Sequence, residues 1–215
     1  RGLKIVWDVR AHVNTMDEPM LKAMKRAGCE RIHYGIEAGN NRMLRELRKN
    51  TTVERVRQTI DLTKKAGIEA LAYFMIGNPT ETSADIDDTL RLAESLKPHY
   101  CHFTIFCPYP ATEFYERGLA EGHIKQDVWR LFATAPGPDF QLPVWEEHFT
   151  RAELYEKIVM MYKKFYLRPW HVMGQLMRIR SMGEFKRKAR AGFQVLRMKA
   201  AEVARLDLSK SVKMK

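Results

Sequence analysis

Arg31-Ile32-His33-Tyr34-Gly35-Ile36, running into Glu37-Ala38-Gly39-Asn40, is the stretch on which the reading of this 215-residue chain turns. A short apolar and aromatic run breaks into a carboxylate, a small residue, a glycine and an asparagine. That pattern is a strand delivering the chain into a turn before a helix. Three other runs have the same character: Leu3–Val9, Ala70–Ile76 and Tyr100–Phe106. Each ends in Gly, Pro or polar residues, and each reads as a strand buried on both faces.

Helical periods lie between the strands. Met20, Leu21, Met24 and Ala27 keep helical spacing, with Asp17 as cap, Pro19 in the first turn and Gly28 as the stop. Thr51 with Glu54 reads as a capping box that opens a helix through Val56, Ile60, Leu62 and Lys65, closed by Gly67. Thr82 or Ser83 caps another, with Ile86, Leu90, Ala93 and Leu96 on its apolar face. Alternation of this length means parallel strands with helices outside, so the fold class is α/β. Four strands are fewer than a barrel needs, and the sequence enters a strand within its first residues. The expectation is the later part of a barrel, belonging to a longer protein.

Residues 1–121 make up that barrel part. Residues 122–149 interleave Trp129, Phe132, Phe140 and Trp145 with Pro136, Pro138 and Pro143, which reads as an irregular covering segment. A helical extension over 150–208 opens at Thr150 and Glu153 and runs through Leu154, Ile158, Met161 and Phe165. Pro169 interrupts it before two more helical stretches, His171–Ser181 and Gly183–Leu206, and residues 209–215 read as a frayed end.

Composition excludes several classes. Hydrophobic content of 45% with 29% charged residues suits a globular protein, and no apolar run reaches the length of a membrane span. Cys29, Cys101 and Cys107 are too few and too scattered for a disulfide framework, so a cytoplasmic, reducing setting is expected. Neither these cysteines nor the seven histidines have metal-ligand spacing, so no metal site is expected within this chain. His12 is the one histidine expected to face a ligand site.

The charge is uneven. Residues 1–150 carry 20 Lys and Arg against 21 Asp and Glu, whereas residues 151–215 carry 17 against 5. The basic tail around Arg178, Lys186, Arg187, Lys188, Arg190 and Arg197 is interleaved with Leu176, Ile179, Phe185 and Phe193. A helix pair solvating its charged face would explain it, as would contact with anionic lipid headgroups, making the protein membrane-associated. Nucleic acid is the least supported partner, because no aromatic and basic β-module accompanies the tail.

In parallel α/β folds ligands lie at the C-terminal ends of the strands. Arg10, His12 and Asn14 follow the first strand, Gly35 to Asn40 close the second, Gly77-Asn78-Pro79-Thr80-Glu81-Thr82 follow the third, and Cys107 to Glu113 follow the fourth. Tight turns alone would account for Gly35, Gly39 and Gly77. Glu37, however, enters the mouth as a carboxylate that needs hydroxyls or a cation as partner. Lys49, at the far end of the next helix, can supply a positive charge for a ligand carboxylate. Such a set suits a nucleoside carrying an amino acid, although spacing alone does not identify the ligand.

The order Trp7…Arg10, Asp17-Glu18…Leu21…Met24-Lys25…Ala27-Gly28-Cys29 and Gly35-Ile36-Glu37-Ala38-Gly39-Asn40 resembles the second half of the radical S-adenosylmethionine fold. The likeness continues through Lys64-Lys65-Ala66-Gly67-Ile68, Phe74-Met75-Ile76-Gly77-Asn78-Pro79-Thr80-Glu81-Thr82 and Tyr109-Pro110-Ala111-Thr112-Glu113. It is most similar to the subgroup with a cobalamin-binding domain, which includes anaerobic porphyrin-ring cyclases and hopanoid-pathway enzymes. The Phe165-Tyr166-Leu167-Arg168-Pro169 segment also resembles this subgroup.

The resemblance implies the C-terminal part of a partial (β/α)6 TIM-like barrel followed by a helical extension. It implies a [4Fe-4S] cluster on three cysteines, S-adenosylmethionine chelated to that cluster, and cobalamin on a separate domain. The chemistry implied is a 5′-deoxyadenosyl radical used in methylation, cyclisation or rearrangement of a hydrophobic small molecule, with flavodoxin or ferredoxin as electron donor. By the same resemblance Glu37 contacts the ribose hydroxyls, Lys49 the methionyl carboxylate, Gly77 and Pro79 the adenine side, and Arg10 stands on the rim of the site.

The departures are equally definite. The CxxxCxxC loop, the acidic segment after it and the cobalamin domain are absent from this sequence, so the chain alone is expected to be inactive. Ala38 stands where relatives often carry Ser, and Thr80 where they often carry Gly. A non-catalytic barrel with a basic membrane- or RNA-binding tail is the alternative. An aldolase-type barrel lacks a Lys at a strand end for a Schiff base.

Overall fold

A computed structural model describes residues 4–137, 140–179 and 181–204. Leu3, Pro138, Arg180, Leu206 and the 209–215 segment therefore lie outside the described residues. The chain divides into two compact units. The first runs up to Ile76 and includes Glu81–Thr104, and the second holds Gly77–Thr80 and the chain from Ile105 onward.

The first unit is a four-stranded sheet in the order β1 (Trp7–Ala11), β2 (Cys29–Glu37), β3 (Glu69–Ile76), β4 (Tyr100–Ile105). The β1–β2 and β2–β3 pairs are parallel, as the crossovers require. Between the strands lie a 3-10 turn at Val13–Thr15, α1 (Glu18–Arg26), α2 (Asn41–Glu46), α3 (Val53–Lys65) and α4 (Ser83–Leu96). An α/β partial barrel fits this sheet.

Local chemistry starts each helix where it begins. Asp17 accepts the Met20 amide, Asn40 that of Met43, and Thr82 closes a capping box with Asp85. One cap differs from expectation. Thr52, not Thr51, accepts the Arg55 amide, and Thr51 instead turns to Asn14.

The strands also differ from their sequence reading, in a way that matters for the site. β1 starts at Trp7 and extends to Ala11, so Arg10 stands within the strand rather than after it. Nor are the strands buried on both faces. Ile32, Tyr34 and Ile36 of β2 and Ala70, Ala72, Phe74 and Ile76 of β3 are fully buried, while the residues alternating with them are only half-buried. The buried face takes the helices: the Tyr34 hydroxyl sits 2.7 Å from that of Thr63 on α3. Burial pushes the Tyr34 phenol up to about 12. Within this unit the other face is open. A strand with one covered face alternates, and here that alternation singles out the open-face residues.

The second unit contains α5 (Glu113–Glu121), α6 (Val128–Thr134), α7 (Arg151–Tyr166), α8 (Pro169–Leu176) and α9 (Met182–Arg197). Among its described residues, the segment 122–149 expected to be irregular thus holds a short helix, α6, capped by Asp127. Its core is built on Leu154, Ile158, Met161 and Phe165 of α7, together with fully buried Trp145. The Trp145 indole donates to Glu147 at 2.8 Å, and the Thr80 amide donates to the same oxygen at 2.8 Å. Burial alone would raise the pKa of Glu147, but these two donors outweigh it and hold it below the usual carboxylate range. No helix among the described residues is long and apolar enough to cross a membrane.

Candidate functional site

The open face of the sheet, toward the C-terminal ends of its strands, carries a cavity of about 550 Å3. Arg10, Ala11 and His12 line it from β1 and the turn beyond, His33, Gly35 and Glu37 from β2, Tyr73 and Met75 from β3, Thr104 from β4, and Lys49 from the loop after α2. Every one of these residues belongs to the first unit.

Glu37 is the centre of this arrangement. Strand β2 does not run straight into it, because the β2–β3 register slips between Gly35 and Glu37 and the Glu37 backbone turns left-handed at φ 75°. A non-glycine residue is held there only by its surroundings, and such residues gather at functional sites. The turn brings the Glu37 carboxylate back over Gly35 to meet Lys49 Nζ at 2.9 Å. The two side chains are about one-fifth exposed, at 19% and 22%, so the pair is shielded but reachable.

Gly35 is a glycine for this reason rather than for a tight turn. A Cβ there would overlap the Glu37 carboxylate and lie 3.2 Å from Lys49 Nζ. The pair thus occupies the space that a side chain would otherwise fill. Sequence reasoning put Glu37 and Lys49 on different ends of one ligand, whereas here they hold each other. The chemistry remains open to a ligand. A carboxylate has two acceptor oxygens and an ammonium three donors, so one shared hydrogen bond leaves both with capacity to spare.

The loop after Glu37 is fixed to α4. Asn40 donates to Asp85 at 2.8 Å and to Asp88 at 2.9 Å, and Arg42 reaches Asp85 as well. Burial alone would raise the pKa of Asp85, but hydrogen bonds from Thr82, Arg42 and Asn40 outweigh it and hold the carboxyl far below the usual range. Gly39 allows this contact. A Cβ on it would run into the Thr89 backbone, and its own amide donates to the Thr89 hydroxyl at 2.9 Å.

Below Glu37 the open face carries a polar cluster that sequence reasoning missed. The Tyr73 hydroxyl is 3.1 Å from His33 Nδ1, with the two rings stacked at 5.9 Å. His33 Nε2 faces an oxygen of Asp8 at 3.5 Å, and His102 meets the Tyr73 ring edge-on at 5.3 Å. The signal was present, since His33, Gly35 and Glu37 alternate, as do Leu71, Tyr73 and Met75. Treating the strands as buried on both sides concealed it.

Of the residues singled out in the sequence, Arg10, Glu37, Lys49 and His12 come together in the cavity. Gly77 and Pro79 are not among its lining residues and belong to the second unit. There a Cβ on Gly77 would press on Leu154 at 2.9 Å, and the Gly77 backbone is left-handed at φ 75°. Thr80 is left-handed too, at φ 59°, a conformation that suits the glycine expected at this position.

No group of three or more His, Cys, Asp or Glu side chains among the described residues is placed to hold a metal ion. Among the described residues Cys29 and Cys101 are buried and Cys107 half-buried, and none is in a disulfide. The described residues therefore do not fit an iron–sulfur cluster. The cavity itself places a carboxylate, an ammonium and a guanidinium beside a bare glycine.

Comparison with known proteins gives the same family. Residues 2–93 match the model of the radical SAM superfamily. Over 168 residues the chain is 35% identical to an uncharacterized methyltransferase of Pyrococcus horikoshii, covering 78% of this chain and 36% of that protein. It is 27% identical over 185 residues to the anaerobic magnesium-protoporphyrin IX monomethyl ester cyclase of Cereibacter sphaeroides, covering 81% of this chain and 29% of the cyclase. The chain thus spans about a third of the length of these relatives. The fold is shared with the cobalamin-dependent S-adenosylmethionine radical enzyme OxsB, at a TM-score of 0.60 and 13% identity over 91% of this chain and 34% of that one. Enzymes of the superfamily work with a [4Fe-4S] cluster and S-adenosylmethionine. The parallel sheet and these matches lead to one conclusion: residues 2–93 of this chain belong to the radical SAM superfamily.

Proposed function

We propose that this chain is the cofactor-gripping part of a radical S-adenosylmethionine enzyme that methylates, cyclises or rearranges a hydrophobic small molecule. One observation carries the reading: Glu37 and Lys49 are held together over a bare Gly35 on the open face of the sheet. Glu37 accepts hydrogen bonds from the two ribose hydroxyls, Lys49 faces the methionyl carboxylate, Arg10 stands on the rim, and Gly35 leaves room for the nucleoside to approach. When bound, S-adenosylmethionine and its cluster supply the radical chemistry, with cobalamin on another domain supplying methyl transfer where that is the outcome. The chain's own residues orient the ligand and exclude water. Holding no cysteine triplet, the chain alone binds no cluster and turns nothing over.

A hydrophobic substrate agrees with the magnesium-porphyrin cyclase among the relatives. It also agrees with the surface of α8 and α9, where Trp170 is 84% and Met177 81% exposed beside a run of basic residues. Such a surface suits peripheral contact with anionic lipid. A flavodoxin or ferredoxin delivers the electron.

The test uses the full-length enzyme with its cluster reconstituted. Calorimetric titration with S-adenosylmethionine should show Glu37→Gln and Lys49→Ala each weakening binding roughly tenfold, about the loss of one charge-assisted hydrogen bond. Wild-type affinity in both variants would remove the assignment.

A further inference from the structure

We infer that His12 and Asn14 are positioning residues that set Lys49 at the cavity; the inference rests on the reading of Lys49 as a cofactor contact. Lys49 follows a residue held in a backbone that its type seldom adopts. Arg48 before it and Asn50 after it are both left-handed, at φ 49° and φ 48°, and neither is a glycine. Asparagine tolerates this conformation, but Arg48 keeps it only under outside restraint.

The turn after β1 supplies it. His12 Nδ1 accepts the Asn14 amide at 3.2 Å, which leaves the ring proton on Nε2. That nitrogen lies 3.3 Å from the Lys49 carbonyl and donates to it. Asn14 Nδ2 donates to the next carbonyl, that of Asn50, at 2.6 Å, and Asn14 Oδ1 accepts the Thr51 hydroxyl at 2.9 Å. From the other side the Lys49 amide donates to the Leu44 carbonyl at 2.9 Å. The peptide groups on both sides of the Lys49 Cα are therefore anchored, and with them the direction in which its side chain leaves the loop. Arg55 braces the turn from behind through the Met16 carbonyl at 2.7 Å.

The arrangement makes a distinction that can be measured. Asn14 does not line the cavity, yet it controls a residue that does. His12 lines the cavity, but its ring nitrogens are engaged with Asn14 and Lys49.

In the full-length enzyme, S-adenosylmethionine affinity is measured for His12→Ala, His12→Gln, Asn14→Ala and Lys49→Ala, and for the alanine doubles with Lys49→Ala. Losing one of these hydrogen bonds should weaken binding about threefold to tenfold in His12→Ala and in Asn14→Ala. His12→Gln, whose amide can donate to the same carbonyl, should recover most of it. In the Lys49→Ala background neither alanine should add more than about twofold, because a residue acting through Lys49 has nothing left to position. Additive losses would overturn the inference, as would unchanged affinity in the two single variants while Lys49→Ala is impaired. Unchanged affinity in Lys49→Ala would remove the underlying reading of the site instead. Should His12→Ala fail to fold, Asn14→Ala carries the same cycle alone.

Discussion

Replacing Gly35 with alanine should disable ligand binding while leaving the fold almost intact. The added Cβ would overlap Glu37 Oε1 and press on Lys49 Nζ at 3.2 Å. Restoring a normal contact of about 3.5 Å requires the carboxylate to retreat by roughly 1 Å. Everything in the way is the mobile end of a side chain, so the backbone need not move, and the stability cost should be about 1 kcal/mol. The geometry of the pair cannot survive the same shift. A hydrogen bond of 2.9 Å lengthened by that amount is lost, and both charges turn away from the cavity. Affinity for S-adenosylmethionine in the full-length enzyme should fall about 10- to 100-fold, or roughly 1.4 to 2.8 kcal/mol. Titration calorimetry beside a denaturant melt separates the two effects. A Gly35→Ala protein with wild-type affinity would refute the reasoning, and so would one that loses binding only because it unfolds.

Gly39→Ala should behave in the opposite way: its Cβ meets the Thr89 backbone, which cannot step aside, so a denaturant midpoint should report a loss of about 3 kcal/mol or more. Asp85 should contribute to acid sensitivity. Its pKa is depressed in the folded protein, so its stabilisation is present above the unfolded value of about 3.9 and is lost as pH falls through the folded value. Asp85→Asn should therefore cost about 2 kcal/mol at neutral pH and flatten the decline of stability below about pH 4, followed by melts across pH. Thr80→Gly should raise stability by about 1 kcal/mol in the same assay, by relieving a left-handed β-branched residue while keeping the amide that Glu147 accepts.

Much of this was legible in the sequence. Asp17 and Thr82 announced their helices because a cap is a local hydrogen bond, written in residues three apart. Glu37 stood out because a parallel sheet sends its ligands to the strand ends, a rule that depends on topology alone, whereas Lys49, at the far end of the next helix, was singled out as a positive charge and by the family resemblance. What stayed hidden depends on distance in space. The Glu37–Lys49 ion pair forms across a loop in which Arg48 and Asn50 turn left-handed; asparagine tolerates that conformation, but arginine gives no sign of it. Gly35 looked like a turn glycine, since nothing in the sequence shows a carboxylate folding back over it. Tyr73 and His33 were misread for a simpler reason: an apolar run covered on one face and a run covered on both have similar composition, and only the alternation separates them.

The central claim is that the cavity around Glu37 and Lys49 holds S-adenosylmethionine. Its most direct test is a structure of the full-length enzyme, cluster intact, with S-adenosylmethionine bound. The account predicts ribose hydroxyls within hydrogen-bond distance of Glu37 and the methionyl carboxylate facing Lys49. A ligand bound elsewhere, with the Glu37–Lys49 pair untouched, would contradict it.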